Sequence, residues 1–61
     1  MENEVLQITN RLIGHGMNLE TIAGRIDYSS QALRLWRKGM IKPRKMVIEA
    51  LKALEEEYVK K

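Results

Sequence analysis

Apolar residues recur along this chain at spacings of three and four, and no segment alternates strictly between apolar and polar. That rhythm predicts amphipathic helices and no strands. Over residues 3–13, Val5, Ile8, Thr9, Leu12 and Ile13 gather on one face. Glu2 and Glu4 suit the positive end of this first helix, and Gly14 and Gly16 supply its stop. Asn18 is a natural N-cap for a second helix over 19–26. There Leu19, Ile22, Ala23 and Ile26 cluster, while Glu20, Thr21, Gly24 and Arg25 point the other way.

Asp27 and Tyr28 make a short turn, and aspartate tolerates the left-handed backbone that such turns need. Ser29 or Ser30 caps a third helix that runs to about Lys38, with Gly39 as its stop. After a connector at 40–42, Pro43 fits the first position of a fourth helix. Val47, Ala50, Leu51, Leu54 and Tyr58 form its buried stripe. On its wet side Lys45 with Glu49, and Glu57 with Lys61, stand four apart and can pair. The expected architecture is a compact all-α bundle of four helices, or five, in one domain spanning 1–61.

Composition narrows what holds such a bundle together. A chain of 61 residues buries only a small core. It has no cysteine and one histidine, His15, so disulfides, thiolate zinc sites and histidine metal sites have nothing to build on. No cofactor or metal is expected, and stability must come from packed helices or a partner subunit. The lack of cysteine fits a reducing compartment. No run approaches the roughly 18 apolar residues of a membrane span, and 1–10 lacks the apolar core of a signal peptide. A cytoplasmic protein that meets no membrane is the expectation. At 44% hydrophobic the chain is too apolar for a disordered tail.

The net charge of +3 is modest, but its distribution is not. Residues 28–48 hold six cations (Arg34, Arg37, Lys38, Lys42, Arg44 and Lys45) and no acid, whereas six of the eight acids lie toward the two ends. A solvated face usually mixes signs. A one-signed stretch of this length points to phosphate, with plain surface charge as the alternative. Lys42, Arg44 and Lys45 also sit at the start of the fourth helix, where the dipole disfavours positive charge. A placement that is mildly unfavourable three times over suggests phosphate contact, against a plain solubility role.

The third helix divides into two faces. Leu33 and Trp36, with Ser29, point toward the other helices, and Ala32 lies on the shoulder. Gln31, Arg34, Leu35 and Lys38 project almost oppositely, flanked by Ser30 and Arg37. A helix exposing Gln, Arg and Lys can lie in a B-DNA major groove about 12 Å wide, where arginine or lysine donates to guanine and glutamine pairs with adenine. Leu35 is the odd member: it meets a thymine methyl, or a partner chain, or is incidental surface. The major groove of A-form RNA is too deep and narrow for such a helix.

Residues 19–43 resemble the helix-turn-helix of phage Cro and repressor proteins and their bacterial relatives, the XRE type. The resemblance rests on Ile22-Ala23, Tyr28-Ser29, Leu33, and Trp36 followed by Gly39 and Pro43; it extends loosely through Ala50 to Leu54. It implies a λ-repressor-like fold in a bacterial or phage-infected cell. It also implies base contacts from Ser30, Gln31, Arg34, Leu35 and Lys38, a cap or phosphate contact at Ser29, and docking of Asn18 on the DNA backbone. The chain departs from that pattern in having Asp27 where relatives usually have glycine and Leu19 where they often have glutamine. It also ends in a helical pattern, without the C-terminal strand by which some Cro proteins dimerise.

Several other residues read more plainly. Trp36 is a core residue rather than a stacking platform, His15 is a helix-end residue, and Glu55–Glu57 form a solvated face. Gly24 allows close approach of a DNA backbone or is tolerated noise. No Gly-rich phosphate loop, nucleophile with a base or paired carboxylates can be found, so no enzyme is expected and no small-molecule ligand either.

The expected function is a Cro-like repressor binding an inverted-repeat operator as a homodimer. Arg37 joins Asn18, Ser29, Lys42, Arg44 and Lys45 as the expected phosphate contacts. Met40, Ile41, Ile48 and Val59 are apolar residues left over for a dimer interface. Two other classes stay open: an antitoxin-like protein-interaction module on the same fold, and an architectural or excision factor that bends DNA with little base readout.

Overall fold

The structure, a computed structural model, describes residues 3–59. Glu2 and Lys61, expected at the two ends of the bundle, lie outside the described residues. Four helices follow one another: α1 (Glu4–Gly14), α2 (Leu19–Arg25), α3 (Ser30–Arg37) and α4 (Lys45–Val59). Among the described residues there is no strand, and no helix is long and apolar enough to cross a membrane.

Local chemistry sets the ends of the first three helices. Asn3 stands just outside α1 as its N-cap, its side-chain oxygen accepting from the Leu6 N–H at 3.1 Å. Asn18 caps α2 through the Thr21 N–H at 2.8 Å, and Ser29 caps α3 through the Ala32 N–H at 3.1 Å. These bonds satisfy backbone donors that a helix start leaves orphaned. The stops need left-handed backbone. Gly16 has φ 105° and Gly39 φ 76°, and between α2 and α3 Asp27 adopts φ 63°. The expectation of a left-handed aspartate in that turn therefore holds. Beyond Gly39 the Met40 N–H reaches back to the Leu35 carbonyl at 3.1 Å, wrapping the chain tightly around the end of α3.

Two boundaries differ from the sequence expectation. Pro43 does not open α4. The helix begins at Lys45, the N–H groups of Val47 and Ile48 bond the Arg44 carbonyl, and Pro43 stays in the connector, half-buried in a groove. Ser29 does not share the buried face of α3; as its cap it is exposed.

The core is drawn from all four helices. Val5, Ile8 and Leu12 of α1 meet Ile22 and Ala23 of α2, Leu33 and Trp36 of α3, and Val47, Leu51 and Leu54 of α4, with Met17 and Ile26 closing the gaps. Helix α1 is the hub, packing against the other three. Each large aliphatic side chain buried in this way contributes about 1.5–3 kcal/mol, which makes these contacts the main support of so small a fold. Thr9 is fully buried as well. Its hydroxyl donates to the Val5 carbonyl at 2.7 Å, so no polar group is left unpaired there.

Ile13 and Tyr58, expected in the core, are 38% and 42% exposed. Ile13 lies about 90° round the helix from the centre of the α1 stripe, beyond the reach of its neighbours. Tyr58 lies over the α1–α2 turn instead, its hydroxyl donating to the His15 carbonyl at 3.4 Å. Charge pairing also differs from the sequence expectation. Lys45 and Glu49 do not pair; Arg11 bonds Glu55 and Lys52 meets Glu4 at 3.3 Å, both bridging α1 and α4. The hydrogen bond that Arg11 donates to the Glu55 carboxylate raises the pKa of the guanidinium further. Exposed pairs of this kind contribute little beside the core.

Candidate functional site

Helix α3 carries the residues of interest, and its placement follows from what it buries. Leu33 is fully buried and Trp36 nearly so, with Tyr28 edge-on to the indole at 5.1 Å between ring centres. The opposite face is thereby turned outward. Gln31, Arg34 and Lys38 are exposed there, and Ser30 and Leu35 are half-buried at its margins. The side chains of Gln31, Arg34 and Lys38 make no hydrogen bond or ion pair with another described residue. Leu35 is thus less exposed than its position on the wheel suggests.

The cations of 28–48 separate into two groups. Arg34, Lys38, Lys42, Arg44 and Lys45 are exposed and unpaired among the described residues. Arg37 is different. Its guanidinium turns back onto α1, where Nη2 donates to the Asn10 side-chain oxygen at 2.7 Å and Nε is buried without a partner. A half-buried arginine held in this way braces α3 against α1 from the flank of the outward face. Contrast sharpens the pattern: Arg11 and Lys52, outside the stretch, are both matched with acids.

Asn3 is the residue that sequence reasoning missed. Besides capping α1, its Nδ2 donates to the Trp36 carbonyl at 2.8 Å and the Arg37 carbonyl at 3.2 Å. The Trp36 carbonyl, which also accepts from the Gly39 N–H, and the Arg37 carbonyl belong to the last turn of α3, so one amide serves the start of one helix and the end of another. Asn10 lies two turns further along α1, about 10 Å away. Helix α3 is therefore tied to α1 at two points, which fixes the direction in which its outer face looks. An asparagine just before an apolar repeat signals a cap; nothing in the sequence signals the second link.

Asn18 and Ser29, both exposed, commit their side-chain oxygens to caps. Arg25, in the last turn of α2, is a further exposed cation that the sequence reading left out. Of the four expected interface residues, Met40 and Ile41 are 71% and 50% exposed. Ile48 and Val59 are half-buried against the core and have less surface left to offer. Met46, 73% exposed, was missed because it falls on the wet side of α4. Ile41 and Ile48 line one groove of about 580 Å³ between the start of α1, the end of α3 and the connector, with Lys38 and Lys42 also in its lining.

Among the described residues no group of three or more His, Asp or Glu gathers to hold a metal ion. Compared with known protein families, curated proteins and solved structures, the chain matches none of them.

Proposed function

We propose that this chain is a sequence-specific, double-stranded-DNA-binding transcription regulator, most simply a Cro-like repressor. In this reading α2 and α3, with 26–29 between them, form a λ-repressor-like helix-turn-helix. Helix α3 enters the major groove, and two copies occupy an inverted repeat. The observation that carries it is the outward face of α3, where Gln31, Arg34 and Lys38 have no partner, next to a set of cations equally without partners. Polar groups left unpaired on a helix anchored to the rest of the fold are suited to base edges: Arg34 to guanine, Gln31 to adenine, and Leu35 to a thymine methyl at the margin. Lys42, Arg44 and Lys45 supply the sequence-independent attraction to phosphate.

The pairing follows from arithmetic. One short helix offers three or four base contacts, each worth about 1–3 kcal/mol of discrimination, and a second half-site doubles that. Blocking polymerase at the operator is the simplest mode of action for such a repressor.

Selection from a random duplex library tests the reading, followed by titration of the winner and of scrambled DNA against salt. Arg34→Ala is expected to relax preference at one position and cost about 1–3 kcal/mol. Lys45→Ala is expected to weaken all sequences alike and lower the salt slope by about one. Identical behaviour of the two variants sinks the division into base and phosphate contacts. Steep salt dependence without sequence preference replaces the regulator by a DNA-bending factor, and no binding at low salt turns the search to a protein partner.

A further inference from the structure

We propose that the groove between the start of α1, the end of α3 and the connector docks a short acidic, aliphatic segment of a partner protein, and that this partner displaces DNA. The docking stands on the groove itself, and the displacement rests on the DNA-binding reading above. Leu6, Ile41, Pro43 and Ile48 give the groove an apolar lining, with the nearly buried Trp36 among them. Its volume of about 580 Å³ falls within the roughly 300–1,000 Å³ of built ligand sites.

The charge of the groove is unbalanced. Lys38 and Lys42 also line it, both exposed and unpaired among the described residues. Arg37 adds a third cation, its Nε buried without an acceptor. The one acid in the lining, Glu4, is already matched with Lys52 at 3.3 Å. A smaller hollow between α1 and α4 is built differently, with Glu4, Glu55 and Glu56 standing among Arg11 and Lys52. That hollow balances its own charge, whereas the groove sets an excess of positive charge beside an aliphatic surface.

This combination selects the occupant. Duplex phosphates can meet the two lysines but have no use for the aliphatic lining. A second copy of this chain brings a net charge of +3 and adds to the excess. A segment that joins acids to aliphatic residues satisfies both features, its carboxylates on Lys38 and Lys42 and its apolar side chains against Leu6, Pro43 and Ile48. Displacement follows from shared residues. Lys38 belongs at once to the groove and to the outward face of α3, and Lys42 to the groove and to the cations offered to phosphate. Carboxylates seated on both lysines occupy what the duplex needs, so each ligand weakens the other by the same factor.

The test uses the full chain and a displayed library of random peptides about ten residues long. Winning peptides are expected to join several Asp or Glu to Leu, Ile or Val. Trp36, the sole tryptophan and part of the lining, is expected to change its emission as a synthesised winner is added. Ile41→Ser alters an exposed side chain. It is expected to melt normally and keep its affinity for the selected duplex, while the peptide binds about tenfold or more weakly. Lys38→Ala is expected to weaken both ligands, and Arg34→Ala the duplex alone. Saturating peptide is expected to lower duplex affinity about tenfold or more. No enriched peptide, winners without acids, or binding unmoved by Ile41→Ser and Lys38→Ala overturns the docking site and leaves the DNA reading standing. Peptide and duplex bound together overturns the displacement. A chain that takes the peptide but no duplex upholds the docking site and sinks the DNA reading.

Discussion

Asn3 offers the sharpest test of how the exposed face of α3 is held. Its side chain performs two separable tasks: the oxygen caps α1, and the nitrogen binds the last carbonyls of α3. Serine can keep the first task but is too short for the second, whereas alanine loses both. An N-cap is worth about 1 kcal/mol. A side-chain hydrogen bond to a partly buried carbonyl contributes about 0.5–1.5 kcal/mol, and the longer of the two bonds here belongs at the low end. Asn3→Ser is therefore expected to cost about 1–1.5 kcal/mol, and Asn3→Ala about 2–2.5 kcal/mol.

A domain of 61 residues has only about 3–9 kcal/mol to lose. At about 4–8 °C per kcal/mol, the serine variant should melt roughly 5–10 °C lower. Trp36, the sole tryptophan, reports the transition directly. Amide exchange localises the damage. The N–H groups of Gly39 and Met40, bonded to the Trp36 and Leu35 carbonyls, should lose protection in Asn3→Ser, while those of α2 should not. A serine variant as stable as the parent, with unchanged protection at those two amides, refutes the second link.

Other expectations follow from the same geometry. Arg37→Ala should lower thermal stability yet leave the salt slope of DNA binding unchanged, whereas Lys42→Ala should do the reverse; equal salt effects would return Arg37 to the phosphate contacts. Asp27→Val should destabilise by about 1–2 kcal/mol in urea unfolding, because a β-branched residue resists φ 63°. Asp27→Gly should be neutral or slightly stabilising, and equal losses in both variants would show that the turn does not need left-handed backbone. Leu33→Ala should cost about 2–5 kcal/mol, a large share of the total stability, while Gln31→Ala should stay within about 0.5 kcal/mol of the parent.

The parts of this fold that were legible in the sequence are those set within a few residues of themselves. Apolar spacing located all four helices, Asn18 announced the start of α2, the pair Ser29 and Ser30 that of α3, with Ser29 proving to be the cap, and Gly39 and Asp27 announced their turns. The outward set Gln31, Arg34 and Lys38 followed from the burial of Leu33 and Trp36 half a wheel away. What escaped depends on how helices cross. Ile13 and Tyr58 sit at the edges of their stripes, where a small rotation decides between core and water. Arg37 and Asn10 are 27 positions apart and Asn3 and Trp36 are 33, so no local pattern joins them. The charges of α4 pair across to α1 rather than along their own helix for the same reason.

The opposed faces of α3 bear on how such a protein can change. Leu33 and Trp36 are answerable to the rest of the molecule; Gln31, Arg34 and Lys38 touch nothing that folding requires. Substitutions at those three positions are therefore nearly silent for stability and fall wholly on whatever the face meets. A lineage carrying this scaffold can drift from one target to another in single steps, without passing through an unfolded intermediate. The same independence makes the face a place to write new preferences by hand, with the melting curve of each variant serving as the check that only the message has been altered.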